Sequence, residues 1–200
     1  MSRQILQNRG FENELASYVT QGKVTINTDI AYSGMKSAQL LSTPLSTAEI
    51  AQVVFLILPG AQVRLSFFAK RFVGENATNI SNIRAEVNFV NAFGVVIPPG
   101  IVMAIRGCDI SENAWNYYEG YAEAPFGTLA ALAVIRLEPP TSGTSSLLVD
   151  DLALVVEVGA PVPPPPPPSA SPIYHEIPGI FTDASVNNSD AVGPAFSIQQ

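Results

Sequence analysis

Six consecutive prolines, Pro163–Pro168, divide this chain more sharply than any other feature of it. Pro161-Val162 precedes them and Ser169-Ala-Ser-Pro172 follows. Proline fixes φ and has no N–H to donate, so such a run cannot sit inside a helix or a sheet. It adopts polyproline II at about 3.1 Å per residue, so 161–172 reads as a stiff spacer of about 35 Å. The expected organisation is a domain at 1–160, a linker at 161–172 and a tail at 173–200. The tail is too short for a core of its own.

Before the spacer, strand signals recur and helical periodicity is scarce. The expected strands are Lys23–Asn27, Lys36–Leu41, Ile50–Leu56, Gln62–Lys70, Ile83–Val90, Ile101–Arg106, Asn116–Glu123, Leu129–Leu137 and Leu147–Val156. Val63-Arg-Leu-Ser-Phe-Phe-Ala-Lys70 and Ile83-Arg-Ala-Glu-Val-Asn-Phe-Val90 alternate apolar with polar, the mark of strands with one buried face. Ser33-Gly34, Pro59-Gly60, Phe93-Gly94, Pro98-Pro-Gly100 and Pro139-Pro-Thr-Ser-Gly143 supply turn chemistry between them. About nine strands in such a length read as all-β, an antiparallel β-sandwich of the jelly-roll kind.

Composition narrows the function. The chain is 47% apolar and only 14% charged, against a globular norm of about 25% charged, so there is ample material for a core. No apolar run approaches the roughly 20 residues of a membrane span. The amino terminus lacks the apolar segment of a secretory signal peptide. All ten Lys and Arg residues lie at or before Arg136, where ten acids balance them; the net charge of −7 comes from seven acids beyond it. Without clustered cations, nucleic acid is excluded as an expected partner.

Little here looks catalytic. His175 is the only histidine and lies beyond the spacer, away from any cleft, whereas a triad needs its base within hydrogen-bond reach of a nucleophile. Cys108 is the only cysteine and is expected to be a buried or half-buried spectator, with an intermolecular bond the alternative. Asp150 and Asp151 are adjacent, so on a strand they point to opposite faces and cannot jointly flank one scissile bond. Trp115, Tyr117, Tyr118, Tyr121 and Phe126 suggest a sugar-stacking platform, but period two places Trp115, Tyr117 and Tyr121 on one face and Tyr118 on the other. Core or interface packing is the competing reading. Asn76, Asn79 and Asn187 begin glycosylation sequons, a pattern common by chance.

Several segments in order, Leu6-Gln-Asn-Arg-Gly-Phe-Glu12, Asp29-Ile-Ala-Tyr-Ser-Gly-Met-Lys-Ser37, Gln52-Val-Val54, Leu65-Ser-Phe-Phe-Ala-Lys70, Trp115-Asn-Tyr-Tyr-Glu-Gly120, Ala124-Pro-Phe-Gly-Thr128 and Val149-Asp-Asp-Leu-Ala-Leu154, span most of residues 5–157. Together they resemble the jelly-roll modules of carbohydrate-binding families 4 and 9, in the galactose-binding-like superfamily. The opening and the run Thr25–Ser37 also resemble the amino-terminal domain that precedes collagen-like triple-helix repeats in Firmicutes surface proteins. The resemblance implies a structural calcium near Glu12 and Asp150, which with loop carbonyls around Ser33 would supply some of the six to eight oxygens that a hard cation takes. It also implies a spore-surface or cell-surface location, with anchoring proteins there as partners.

The tail carries no Lys or Arg, yet Ile173, Ile177, Ile180, Phe181, Val186, Phe196 and Ile198 punctuate it. An extended apolar segment finds backbone partners most readily on an exposed sheet edge, and a stiff spacer favours a neighbour over its own domain. A non-closing head-to-tail contact of that kind builds a filament. The first expectation is therefore a non-enzymatic structural subunit that polymerises with copies of itself. The second is a non-catalytic glycan-binding or adhesion module that uses Trp115, Tyr117 and Tyr121.

Overall fold

The computed structural model describes residues 2–73, 79 and 81–157. The expected linker and tail, with His175 and the seven apolar tail residues, lie outside the described residues, as do Asn76 and Asn187. Eleven strands make up the described fold: β1 (Ser2–Gln4), β2 (Val19–Gln21), β3 (Lys23–Asn27), β4 (Ser37–Ser42), β5 (Ala48–Phe55), β6 (Gln62–Arg71), β7 (Ile83–Val90), β8 (Val96–Ile105), β9 (Asn116–Glu123), β10 (Ala130–Leu137) and β11 (Ser145–Glu157). They form two antiparallel sheets, a jelly-roll sandwich. Sheet A runs β3-β4-β11-β6-β9, with β1 also on β11; sheet B runs β2-β5-β10-β7-β8. Among the described residues no helix is long and apolar enough to cross a membrane.

Alternation decides which side chains lie between the sheets. In β6, Val63, Leu65, Phe67 and Ala69 are fully buried, while Arg64, Phe68 and Lys70 between them reach the surface. In β7, Ile83, Ala85, Val87 and Phe89 point inward in the same way. The chain's beginning closes one side of this core. Ile5 N–H donates to Leu154 O at 2.9 Å. Gln52, buried on the inner side of β5, holds Gln7 with both ends of its amide: Gln7 N–H donates to Oε1 at 2.8 Å and Nε2 donates to Gln7 O at 3.1 Å. A buried amide with both ends satisfied avoids the cost of an unpaired polar group.

Three sequence expectations are corrected. Nine strands become eleven, because β1 and β2 are three residues long and too short to show alternation. Pro98, Pro99 and Gly100 do not form a turn but lie within β8. β8 pairs only with β7 and so is an edge, where proline is tolerated. A side chain at Gly100 would meet Val87 O at 2.1 Å, so only glycine fits beside the register shift between Val87 and Phe89. Cys108 is exposed rather than buried, because a 3-10 turn at Gly107–Asp109 buries only Gly107.

Candidate functional site

The outward side of sheet A carries a cluster of aromatic rings. Residues of β9 alternate so that Tyr117, Glu119 and Tyr121 face solvent while Tyr118 turns inward. Tyr118 packs on buried Phe67 with ring centroids 5.5 Å apart. Register places Phe68 of β6 beside Tyr117, and their rings lie 5.1 Å apart. The third ring comes from the loop between β3 and β4: Tyr32 stacks on Phe68 at 3.5 Å and 15°. Trp115, just before β9, meets Tyr32 edge-on at 6.0 Å. The cluster is thus Tyr32, Phe68, Trp115 and Tyr117, with Tyr121 further along the same side of β9.

A buried carboxylate holds Tyr32 in place. Asp150 is fully buried on β11, opposite Phe68 in the register. Its Oδ2 accepts from Tyr32 N at 2.8 Å and Ser33 N at 2.9 Å, and its Oδ1 accepts from Asp151 N at 2.7 Å. Burial pushes this carboxyl above its ordinary pKa, while the N–H groups of Ser33, Asp151 and Tyr32 pull it the other way. Glu12 supports the far side of the same loop: Oε1 accepts from Met35 N at 2.7 Å and Lys36 N at 3.1 Å. Gly34, at φ +68°, lies so close that a Cβ there would come within 2.1 Å of Glu12 Oε1.

This corner does not fit a calcium ion. The loop turns amides, not carbonyls, toward both carboxylates: Asp150 accepts from Tyr32, Ser33 and Asp151, and Glu12 accepts through Oε1 from Met35 and Lys36. Lys36 Nζ donates to the main-chain oxygen of Glu12 at 3.1 Å and lies 3.9 Å from Glu14 Oε1. Among the described residues no group of three or more His, Cys, Asp and Glu could hold a metal. Asp151, at φ +51° beside the β11 bulge, takes a different partner: Arg9 Nε donates to its Oδ1 at 2.7 Å. The adjacent aspartates therefore serve separate tasks.

A second carboxylate fixes the rings of β9. Tyr117 O–H donates to Glu119 Oε2 at 2.9 Å, and Arg64 Nη1 lies 3.5 Å from the same oxygen. Hydrogen bonds from Tyr117 and Tyr121, with Arg64 beside them, hold the Glu119 carboxyl below its ordinary pKa. The site therefore presents hydrophobic ring faces with a charged, hydrogen-bonding margin, the mixture that fixes the orientation of small polar ligands.

The structure brings Trp115 and Tyr117 together and keeps Tyr121 on their side. It separates Tyr118, which joins the core, and Phe126, which sits on a loop at one end of the sandwich. Sequence reasoning missed Tyr32, Phe68, Arg64 and Glu119. Phe68 carried a signal: in the Phe67-Phe68 pair only one ring can face the core, so the other is an aromatic on a solvent face. Tyr32 carried none, because its position depends on Asp150, 118 residues away.

Comparison with known proteins agrees with this architecture. No family model matches the sequence, and no curated protein is significantly similar to it. Among solved structures, a family 61 carbohydrate-binding module in complex with β-1,4-galactotriose superposes with a TM-score of 0.56 at 18% identity, covering 76% of this chain and 97% of that one. The CBM22-1 xylan-binding domain from Paenibacillus barcinonensis Xyn10C gives 0.55 at 16% identity, covering 80% and 95%. The enzymatically active domain of tailspike protein 4 from bacteriophage CBA120 gives 0.60 at 17% identity, but this chain covers 76% of itself and only 21% of the tailspike. The chain has the jelly-roll fold of carbohydrate-binding modules.

Proposed function

We propose that this domain is a non-catalytic carbohydrate-binding module whose ligand lies across Tyr32, Phe68, Trp115 and Tyr117 on the outer side of sheet A. The observation that carries the reading is the stacked pair Tyr32–Phe68, continued by Tyr117 and Trp115 and held by Asp150 and Glu119. Partly exposed rings fixed by buried or charged groups offer a ready surface to the apolar face of a pyranose, with little ordering left to occur on binding. The neighbours described as carbohydrate-binding modules support this reading over the filament subunit that the sequence puts first. Filament assembly rested on residues 173–198, outside the described fold.

The proposed ligand is a chain of sugars that packs on the rings; beside them Arg64 is already engaged by Glu119, while Lys70, on the same side of β6 as Phe68, offers a hydrogen-bond donor to a sugar hydroxyl. The expected setting is a cell or spore surface, to be checked by antibody labelling of intact cells and spores. The binding test is a glycan array followed by calorimetry on the full chain. Binding to at least one β-linked polysaccharide is expected, weakened at least tenfold by Trp115→Ala and by Tyr117→Ala. Retention of full affinity in both variants would move the site elsewhere.

A further inference from the structure

The three loops at one end of the sandwich, 56–61, 91–95 and 124–129, contain 17 residues and not one charged side chain. They are neighbours in space: Leu56 N donates to Leu129 O, Gly60 N to Ala124 O and Leu129 N to Val90 O. Ile57, Ala61 and Ala124 anchor them in the core, while the larger apolar side chains between these anchors point outward. Phe126 is 95% exposed and Phe93 89%, with Leu56, Leu58, Val95 and Leu129 exposed around them. The site on sheet A uses none of these residues.

Two phenylalanines of that exposure offer about 400 Å² of ring surface, and the four aliphatic neighbours bring the crown to the order of 800 Å² that each side of a standard interface contributes. On a monomer that stays alone, apolar patches rarely exceed roughly 300–600 Å². We propose that this crown is a self-association surface, occupied by the crown of a second copy of this chain. Charge favours that occupant. The three loops carry no charged side chain, so two copies can meet through them without burying a loop charge or opposing like charges. Shape favours it too. Pro59, Pro99, Pro125 and Phe126 border a depression of about 510 Å³ next to the loops, with Glu123, whose carboxylate accepts from Gln62 Nε2, at its edge, and Phe93 is a protruding ring of the kind that fills such a depression. A two-fold contact needs projection and recess on the same patch, and both are here. A lipid surface is less well matched, since the loops hold no Lys or Arg to meet anionic headgroups.

The test is sedimentation velocity on the full chain from micromolar to several hundred micromolar. A concentration-dependent monomer–dimer equilibrium is expected. Phe93→Asp and Phe126→Asp should each raise the dissociation constant at least tenfold, and the double variant should be monomeric throughout. Leu45→Asp, 98% exposed on the β4–β5 hairpin at the opposite end, should leave the equilibrium unchanged. All three positions are exposed, so thermal unfolding of the variants should match the parent chain. The proposal is overturned by a chain that is monomeric at every concentration, by association that survives the double variant, or by equal weakening from Leu45→Asp. A monomer that co-sediments with phosphatidylcholine vesicles would overturn it in favour of lipid. Glycan binding is read separately and can fail or succeed independently.

Discussion

The aromatic residues on sheet A are partly covered, Tyr32 and Tyr117 being 46% exposed, whereas Phe93 and Phe126 on the end loops stand almost free, and the two groups are held in different ways. Tyr117 is tied to Glu119 through its hydroxyl, and Tyr32 is tied through its own backbone to a carboxylate under the sheet. Phe93 and Phe126 have no side-chain polar atom to tie; Asn91 Oδ1 accepts from Phe93 N at 2.9 Å and so fixes the backbone of that turn but not the ring, and the two turns contain Gly94 and Gly127, both at positive φ. The first arrangement fixes ring positions before anything binds, as recognition of a rigid sugar requires. The second offers exposed area whose ring orientation no hydrogen bond fixes, which suits a contact formed by burial. The difference between them lies in the polar residues beside the rings.

Substitutions can break this comparison in order of effect. Phe67→Ala removes a ring from the shared core, and a loss of about 4 kcal/mol is expected. Denaturant unfolding should show it, with both surfaces failing together. Asp150→Ala leaves the N–H groups of Tyr32, Ser33 and Asp151 without their acceptor and should cost about 3 kcal/mol. Here the two surfaces should separate: sugar binding is lost while self-association at the crown persists in the folded fraction. Gly34→Ala places a Cβ on Glu12 in a left-handed conformation, and a loss of about 2 kcal/mol with weakened sugar binding is expected in the same measurements.

The acid dependence sharpens the comparison further. The pKa of Asp150 is raised in the folded state, so the folded protein holds the proton more tightly than the unfolded chain. The stability this contributes is present below the ordinary carboxylate pKa and is lost as pH rises through the raised value. Asp150→Asn cannot ionise, so its unfolding free energy should lack that decline across the window. Glu119 behaves in the opposite sense. Its lowered pKa means that its hold on Tyr117 is present above the ordinary glutamate pKa and lost only as pH falls through the lowered value. Sugar binding should therefore persist to below the ordinary glutamate range, and Glu119→Gln should not alter self-association at any pH.

Legibility in the sequence followed the range of the forces involved. Strands β3, β7 and β9 were readable to the residue, because side-chain alternation is local and Lys23–Asn27, Ile83–Val90 and Asn116–Glu123 show it cleanly. The same alternation placed Trp115, Tyr117 and Tyr121 together and Tyr118 apart. It failed at β8, where two prolines in succession signal a turn unless the strand is known to be an edge. Glu12 and Asp150 were paired only through the family resemblance, as calcium ligands, and not as acceptors for the loop's amides, since the direction of a peptide plane leaves no trace in residue identity. Tyr32 on Phe68 depends on contacts between distant segments and was out of reach.

Pro98 and Pro99 in β8 carry one more consequence. Along any strand, one of two successive residues directs its backbone toward the free side, so this border of sheet B lacks a donor just where the strand leaves the crown. The ladder that a further strand could extend is therefore interrupted at the start of β8, which hinders a third molecule from joining a pair sideways into a growing ribbon.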